Sequence, residues 1–218
     1  ECSSAASDVY KRQELEVPFT KVDLENFGEA IESVSEIDDR INGIDAIIHQ
    51  AAIPAPGLET NHKTFRMNTL STYNIFQAAK VLKINNIVWA SSETVLGLPF
   101  DTYPPYVPVD EEYYPRPESS YSLSKVMGEE MARQYCRRNP EMKIFGLRYS
   151  NIMEEKDYKK FQSFQKDPFL RKWNFWGYID ARDVAQACLL AMESKLKGAE
   201  NFIIAADDTV MAVSYTHL

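Results

Sequence analysis

The sequence predicts an α/β protein with a parallel sheet, and two features of its 218 residues support this. Strand-like and helix-like stretches alternate along the chain, which is typical of β-α-β units. One early strand-like stretch, Ile44–His49, is a mainly apolar run rather than an alternating pattern. Such a run is expected of a strand that is buried on both faces, between two helical layers.

Five stretches have the length and residue types of strands. In chain order these predicted strands are Val17–Asp23, Ile44–His49, Asn86–Ser91, Lys143–Tyr149 and Asn201–Ala205. The stretches between them have helical spacing or lack helix breakers. The predicted helices are Leu24–Ser35, Thr64–Leu82, Ser119–Arg138 and Ala181–Ser194. Loops are predicted at Ala51–Thr60 and in the proline-rich stretch Gly97–Pro117, and Glu154–Trp176 has no clean periodicity.

Composition narrows the class of protein. The net charge is −8 and the basic residues form no stripe, so we expect no nucleic-acid partner. No apolar run approaches the ~20 residues of a membrane span, so we expect no membrane insertion. The cysteines Cys2, Cys136 and Cys188 have neither metal-site nor disulfide spacing, which indicates a cytoplasmic protein without a bound metal.

Both ends of the chain read as foreign. Residues 8–13 (DVYKRQ) can be back-translated to a transposase adapter used in DNA sequencing libraries. The reverse complement of that adapter encodes the last six residues, Val213–Leu218 (VSYTHL). We therefore expect residues 1–13 and 213–218 to be non-native and the natural segment to be 14–212, cut at both ends.

A possible catalytic group lies at the start of the third predicted helix. Tyr121 and Lys125 are four residues apart, which places both side chains on one helix face. A buried ammonium beside a phenol lowers the pKa of the tyrosine, which can then act as a general base toward a hydroxyl. Ser91 and Ser92 end a predicted parallel strand, where ligand clefts open in such sheets.

The Tyr-Lys pair alone is weak evidence, because both residues are frequent in this chain and a helix with surface ion pairs explains the pair equally well. The order of the elements favours catalysis: a strand, Ser-Ser, a proline-rich loop, and then the helix with Tyr121 and Lys125. We therefore treat Ser92, Tyr121 and Lys125 as one group.

Six sequence blocks extend this argument to most of the segment. They are IDAIIHQAA (44–52), FRMNTLSTYNIFQAAK (65–80), WASSETVLG (89–97), YSLSK (121–125), LRYSNI (147–152) and YIDARDVAQA (178–187). In this order they resemble the extended short-chain dehydrogenase/reductases, the NAD-dependent epimerase/dehydratase family. The resemblance implies a Rossmann-like doubly wound parallel sheet and an NAD cofactor, with NADP as the alternative.

The resemblance also assigns roles to single residues. Ser92, Tyr121 and Lys125 match the catalytic positions, with Tyr121 as the base and Lys125 as the group that holds the nicotinamide ribose. The positions that contact the cofactor are matched by Asp23, Leu24, Ala51, Ala52, Ile53, Asn68, Ser91, Tyr121, Lys125 and Tyr149. The positions that face the substrate are matched by Ser92, Glu93, Thr94, Tyr121 and Asn151.

Several of these residues have a simpler interpretation. Asp23 is also placed to be a helix N-cap, and Asn68 to be a polar residue satisfied by its neighbours. Tyr149 is equally suited to the core. Glu93 is either an additional acid or base of the dehydratase type or a structural carboxylate, and the structural role is the simpler one.

The sequence departs from the family by lacking its first strand, its second strand and the GxxGxxG turn that holds the pyrophosphate. We therefore expect a sheet truncated at the N-terminus and at the C-terminus. Alone, such a chain is expected to fold poorly, to bind a dinucleotide weakly and to be inactive. Residues 14–212 are then a partial NAD(P)-binding domain, with a short substrate-binding segment at about 150–177.

The predicted function is an NAD(P)-dependent oxidoreductase that acts on a hydroxyl of a sugar or sugar acid. Only 28 residues separate Tyr149 from Tyr178, so a compact uronate or sugar dehydrogenase is the alternative to a nucleotide-sugar epimerase or dehydratase. A non-catalytic dinucleotide-sensing protein on the same fold is the alternative of another class. We expect the full-length protein to be a homodimer.

Overall fold

The computed structural model describes residues 19–35 and 43–212. Four parallel strands form its main sheet: β1 (Ile47–His49), β2 (Asn86–Ala90), β3 (Lys143–Tyr149) and β6 (Gly198–Ile204). They pair in the order β1-β2-β3-β6. A smaller parallel pair consists of β4 (Ile152–Met153) and β5 (Ile179–Asp180).

Five α-helices and three 3-10 helices surround these strands within the described ranges. The α-helices are α1 (Phe27–Ser33), α2 (Asn61–Leu82), α3 (Ser120–Arg138), α4 (Phe161–Lys166) and α5 (Ala181–Glu193). The 3-10 helices span Glu93–Leu96, Glu155–Lys160 and Pro168–Asn174. Side-chain caps at Thr60, Ser119 and Asp180 start α2, α3 and α5, because each accepts a hydrogen bond from a free N–H of the first turn. No helix in the described ranges is long and apolar enough to cross a membrane.

The core lies on both faces of the main sheet, as the mainly apolar strands predict. On one face Ile87 and Trp89 of β2 pack with Phe76 of α2 and Tyr135 of α3. On the other face Val88, between them in β2, packs with residues of β3 and α5. Successive side chains of a strand point to opposite faces, so one buried strand joins the two helical layers. The predicted α/β fold is confirmed.

The prediction of a first strand at Val17–Asp23 is wrong for the residues of it that the structure describes. Residues 19–23 of Val17–Asp23 pair with no strand, and residues 17 and 18 lie outside the described residues. The backbone N–H of Asp23 instead donates to the carboxylate of Glu29, and β1 forms an edge of the described sheet. An isolated segment has no ladder partner and so forms no strand. The segments 1–13 and 213–218, predicted to be non-native, also lie outside the described residues.

Helix α3 approaches β2 unusually closely at Gly128. A β-carbon at this position would lie 2.5 Å from Cη2 of Trp89, a ring that is fully buried. Glycine is therefore the residue that lets the helix backbone lie on the indole ring. This close contact determines the distance between α3 and β2, near the strand end where the candidate catalytic residues meet.

Candidate active site

The carboxyl ends of β1, β2 and β3 open into a cleft of about 650 Å³. Residues that follow each strand line it, among them Gln50 after β1, Ser92 after β2 and Ser150 after β3. The N-terminal turns of α3 add Tyr121 and Lys125. Parallel strands end at the same edge of their sheet, which is why residues far apart in sequence meet here.

Ser92, Tyr121 and Lys125 come together as the sequence predicts. All three side chains are buried, at 5–7% exposure, yet line the cleft. Ser92 lies near enough to Tyr121 to lower the pKa of its hydroxyl, and the Ser92 hydroxyl itself accepts hydrogen bonds from the Thr94 N–H at 3.2 Å and the Thr94 hydroxyl at 3.0 Å. The Lys125 ammonium donates to the carbonyl oxygen of Ala90 at 2.7 Å and lies 5.6 Å from the centre of the Tyr121 ring.

The pKa of Tyr121 departs from the prediction. Burial raises it above its usual value and the nearby Glu93 carboxylate raises it further, whereas the Ser92 hydrogen bond lowers it. The prediction that the lysine ammonium lowers this pKa is therefore wrong for the chain by itself. Burial also lowers the pKa of Lys125 to about 8, which weakens it as a source of positive charge.

Glu93 lies at the substrate side of the cleft in a polar network. Its carboxylate accepts hydrogen bonds from the Ser150 hydroxyl at 2.6 Å and from the Asn174 amide at 3.4 Å. Burial raises its pKa to about 7, so the group is partly protonated near neutral pH. The Arg171 guanidinium lies next to this network and donates to Asn151 Oδ1 at 2.6 Å and to the Gly177 carbonyl at 2.7 Å.

This network attaches the segment 150–177 to the end of β2. Sequence reasoning missed Ser150, Arg171 and Asn174, because their partners lie up to 81 residues away in the chain. Serine directly after a parallel strand is the one signal that points to Ser150. The predicted substrate positions do meet: Ser92, Glu93, Thr94, Tyr121 and Asn151 all line the same cleft.

The predicted cofactor positions divide between two adjoining sites. Ser91, Tyr121, Lys125 and Tyr149 line the large cleft. A second pocket of about 250 Å³ is lined by Asp23, Leu24, Ala51, Ala52, Ile53 and Asn68 among others. Ala52 lines both pockets, so they adjoin at the loop that follows β1.

Asn68 and Asp23 have local partners as well. The Asn68 amide accepts from the Ile53 N–H at 2.8 Å and donates to the Ile53 carbonyl and to the Ser124 hydroxyl. It therefore holds the loop after β1 against the helix that carries Tyr121. Asp23 is not the N-cap of α1, because Asn26 has that position.

Tyr149 is fixed by groups on both sides. Its hydroxyl accepts from Gln50 Nε2 at 3.0 Å and lies 3.1 Å from Cys188 Sγ. Burial raises its pKa well above the usual value, so the phenol stays neutral. It packs in the core and also lines the cleft, and its predicted contact with the cofactor stays a prediction.

In the described part of the chain, no three His, Cys, Asp or Glu side chains lie together in a group that could hold a metal ion. His49 is buried beside Thr72, at 3.3 Å, and burial lowers its pKa to about 3. It is a neutral core residue.

The site fits the ribose and nicotinamide end of a dinucleotide. The Lys125 ammonium has three N–H donors and makes one hydrogen bond among the described residues, so two donors remain for ribose hydroxyls. Glycines that could hold a pyrophosphate in a GxxGxxG turn do not occur in the sequence. The parallel sheet and this cleft define an α/β protein of the Rossmann-like class.

Comparison with known proteins gives the family. The sequence model of the NAD dependent epimerase/dehydratase family matches residues 3–205, and the chain belongs to this family. It is 25% identical over 213 residues to L-arabinose 1-dehydrogenase (NAD(P)(+)) of Haloferax volcanii, over 91% of this chain and 82% of that protein. It is 33% identical over 110 residues to UDP-glucose 4-epimerase of Erwinia amylovora, over 50% of this chain and 32% of that protein.

A solved structure shows the same fold. The UDP-Glc/GlcNAc 4-epimerase of Campylobacter jejuni superposes with a TM-score of 0.70 at 20% identity, over 94% of this chain and 68% of that one. The family resemblance and the fold predicted from the sequence are thus both confirmed. The chain spans about a third of the length of the Erwinia epimerase and about two thirds of the Campylobacter one.

Replacing Glu93 by glutamine should flatten the pH dependence of stability between about pH 5 and pH 7. Burial raises the pKa of Glu93 from 4.5 to about 7, so in this window the folded chain keeps a proton that the unfolded chain has released. The unfolding free energy therefore falls as pH rises through this window. We expect Glu93→Gln to reduce that fall by about 1–3 kcal/mol, measured by urea unfolding at several pH values.

Glu155→Gln is the matched control, because Glu155 is an exposed carboxylate in the same segment of the chain. It should leave the pH dependence as in the wild type. Equal slopes for the Glu93 and Glu155 variants would contradict the raised pKa of Glu93.

Proposed function

We propose that this protein is an NAD(P)-dependent oxidoreductase that acts on a hydroxyl group of a small, neutral sugar. The observation that carries the proposal is the meeting of Ser92, Tyr121 and Lys125 in one cleft at the carboxyl edge of the sheet. Membership of the NAD dependent epimerase/dehydratase family supports the cofactor class. NAD is the proposed cofactor, with NADP as the alternative.

The proton in this reaction is moved by Tyr121. Its phenolate oxygen takes the proton of the substrate hydroxyl and becomes the phenol, while the carbon that bears this hydroxyl loses hydride, and Ser92 donates a hydrogen bond to the same substrate oxygen. A nicotinamide cofactor supplies the hydride acceptor and, when oxidised, a positive charge that favours the phenolate of Tyr121. Lys125 binds the ribose through its two remaining N–H donors.

The charges of the cleft favour a neutral substrate. Among the described residues that line it, the charged side chains are Glu93 and Lys125, and Lys125 is assigned to the ribose. An anionic substrate requires a cationic partner, usually a bidentate arginine. Arg171 lies next to the cleft, but its guanidinium already binds Asn151 and the Gly177 carbonyl. A uronate or a nucleotide diphosphate would thus face Glu93 without a cation.

The size of the cleft agrees with this choice. The segment between Tyr149 and Tyr178 is short, and its helices place Tyr158, Phe161 and Phe164 in an aromatic cluster of their own, while Trp173 lines the cleft. A free aldose or polyol is therefore favoured over a nucleotide sugar. The relative from Haloferax volcanii, an L-arabinose 1-dehydrogenase by name, is consistent with this proposal.

A non-catalytic dinucleotide-sensing protein is the competing proposal. Such a protein has no need of a proton-transferring residue, whereas Tyr121 here lines the cleft together with Ser92 and Lys125. The catalytic proposal explains this arrangement, and the sensing proposal does not.

A substrate screen on the complete gene product tests the proposal. Free aldoses such as L-arabinose, a uronate and UDP-glucose are each incubated with NAD or NADP, and NAD(P)H formation is followed. We expect kcat/KM for the best aldose to exceed that for the corresponding uronate at least about tenfold, because the uronate carboxylate is left unpaired near Glu93. The Tyr121→Phe variant measures the background rate.

Two outcomes would contradict the proposal. Interconversion of UDP-glucose without net NAD(P)H would indicate an epimerase. Dinucleotide binding without turnover of any sugar would favour the sensing protein.

A further inference from the structure

A buried ion pair lies directly behind the candidate catalytic residues. Glu129 of α3 and Arg148 of β3 form two parallel hydrogen bonds, Nε to Oε1 and Nη2 to Oε2, each of 2.9 Å. Both side chains are almost fully buried, at 7% and 3% exposure. The Ser91 hydroxyl donates a third hydrogen bond, of 2.6 Å, to the Glu129 carboxylate. The cluster thus joins three elements, α3, β3 and the end of β2.

The position of Glu129 relates it to the catalytic residues. It follows Lys125 by four residues and Tyr121 by eight, so all three lie on one face of α3. Lys125 and Glu129 contact adjacent residues at the end of β2, through the Ala90 carbonyl and the Ser91 hydroxyl. The helix is therefore fixed to the strand end at two neighbouring points, immediately before Ser92.

Stability alone gives a weak reason for two buried charges at this place. Desolvation offsets much of the attraction in a buried ion pair, and apolar side chains of similar volume often stabilise a fold equally well. What a bidentate arginine-carboxylate pair adds is a fixed direction and distance. That property matters most where a neighbouring group must be held within a fraction of an ångström.

We propose that Glu129, held by Arg148, is a positioning residue that fixes the Ser91 hydroxyl and so keeps the neighbouring Ser92 in place beside Tyr121 in the cleft. This inference rests on the proposed function for its effect on turnover. Its structural part, the Ser92–Tyr121 contact, is independent of any substrate. The Ser92 hydrogen bond also lowers the pKa of Tyr121, so the position of Ser92 has an effect that can be measured as a function of pH.

The test replaces the ion pair by an apolar pair of similar size, Glu129→Leu with Arg148→Met. We expect this double variant to fold with an unfolding midpoint close to that of the wild type. Its kcat should fall about 10- to 100-fold, because small displacements of reacting groups have effects of this size. The limb of the pH profile that reports Tyr121 should move to higher pH, since the hydrogen bond that lowers its pKa is weakened.

The matched control is Glu130→Leu with Arg133→Met. This neighbouring pair lies on the same helix but is exposed, at 38% and 71%. Its exchange should leave kcat and the pH profile unchanged. A single variant, Ser91→Ala, removes only the hydrogen bond to Glu129 and should lower kcat and move the same limb, even if the double variant does not fold.

A crystal structure of the double variant, or of Ser91→Ala, completes the test without depending on activity. We expect the Ser92 hydroxyl to lie farther from the Tyr121 hydroxyl than it does in the wild type. An unchanged Ser92–Tyr121 contact, or a wild-type kcat with a wild-type pH profile, would overturn the inference. Absence of turnover in the wild type would instead count against the proposed function, and the Ser92–Tyr121 distance would still decide the positioning role.

Discussion

Tyr121→Phe is expected to lower kcat by about 10²–10⁴-fold in the complete gene product, the range over which a positioned general acid or base contributes. The variant lacks the hydroxyl that takes the substrate proton, while the ring that packs near Lys125 is retained. Binding of the cofactor should change little, because the ribose is assigned to Lys125. The measurement is steady-state turnover together with the dissociation constant of the dinucleotide.

Tyr135→Phe is the control for this variant. Tyr135 lies on the same helix and is also buried, but its hydroxyl donates to Gln77 at 2.7 Å, away from the cleft. It should lose some stability and keep its turnover. Equal turnover in the Tyr121 and Tyr135 variants would contradict the assignment of Tyr121 as the base.

Lys125→Met should have the second largest effect, chiefly on the cofactor. Two hydrogen bonds to the ribose are lost, each worth about 1 kcal/mol or more, so KM for NAD should rise at least about tenfold, with a fall in kcat. Stability should change little, because relief of the buried charge, whose pKa burial lowers to about 8, is opposed by the loss of the hydrogen bond to the Ala90 carbonyl. Steady-state kinetics and thermal unfolding measure the two effects separately.

Lys143→Met is the matched control and should show the reverse pattern. Lys143 is equally buried, but its ammonium lies at the opposite edge of the sheet and donates to the carbonyls of Ala191, Met192 and Ser194 at the end of α5. Its loss leaves these carbonyls without their donor, which costs about 1–3 kcal/mol of stability, while KM is unaffected. A rise in KM for NAD in both variants would indicate a general loss of structure rather than a ribose contact.

The sequence allowed a good prediction of the elements whose ends carry local signals. Strand β3 has the predicted bounds Lys143–Tyr149, and α3 begins within one residue of its prediction because Ser119 caps it. The predicted strand Val17–Asp23 was wrong in its described part, since pairing depends on a neighbour and not on the residues themselves. An apolar stretch of sequence forms a strand only where another strand lies beside it to accept and donate the backbone hydrogen bonds.

The sequence predicted that Ser92, Tyr121 and Lys125 meet in one cleft, but it predicted their electrostatics only in part. The four-residue spacing predicted that Tyr121 and Lys125 lie on one face of the helix, and the order of the elements predicted that Ser92 lies near them. The direction of the Tyr121 pKa could not be predicted, because it depends on burial and on Glu93 rather than on spacing. The Glu129–Arg148 pair was missed for the same kind of reason: its partners are 19 residues apart and meet only through the register of α3 on β3.

Transfer of deuterium from substrate to cofactor tests the central proposal most directly. The complete gene product is incubated with NAD and an aldose that carries deuterium on the carbon to be oxidised, and the cofactor is analysed by mass spectrometry. The account predicts one deuterium in the reduced nicotinamide, formed about 10²–10⁴-fold more slowly when Tyr121 is replaced by phenylalanine. Unlabelled NADH, or an equal rate of labelling by the Tyr121→Phe variant, would contradict a hydride transfer that depends on the Ser92, Tyr121 and Lys125 site.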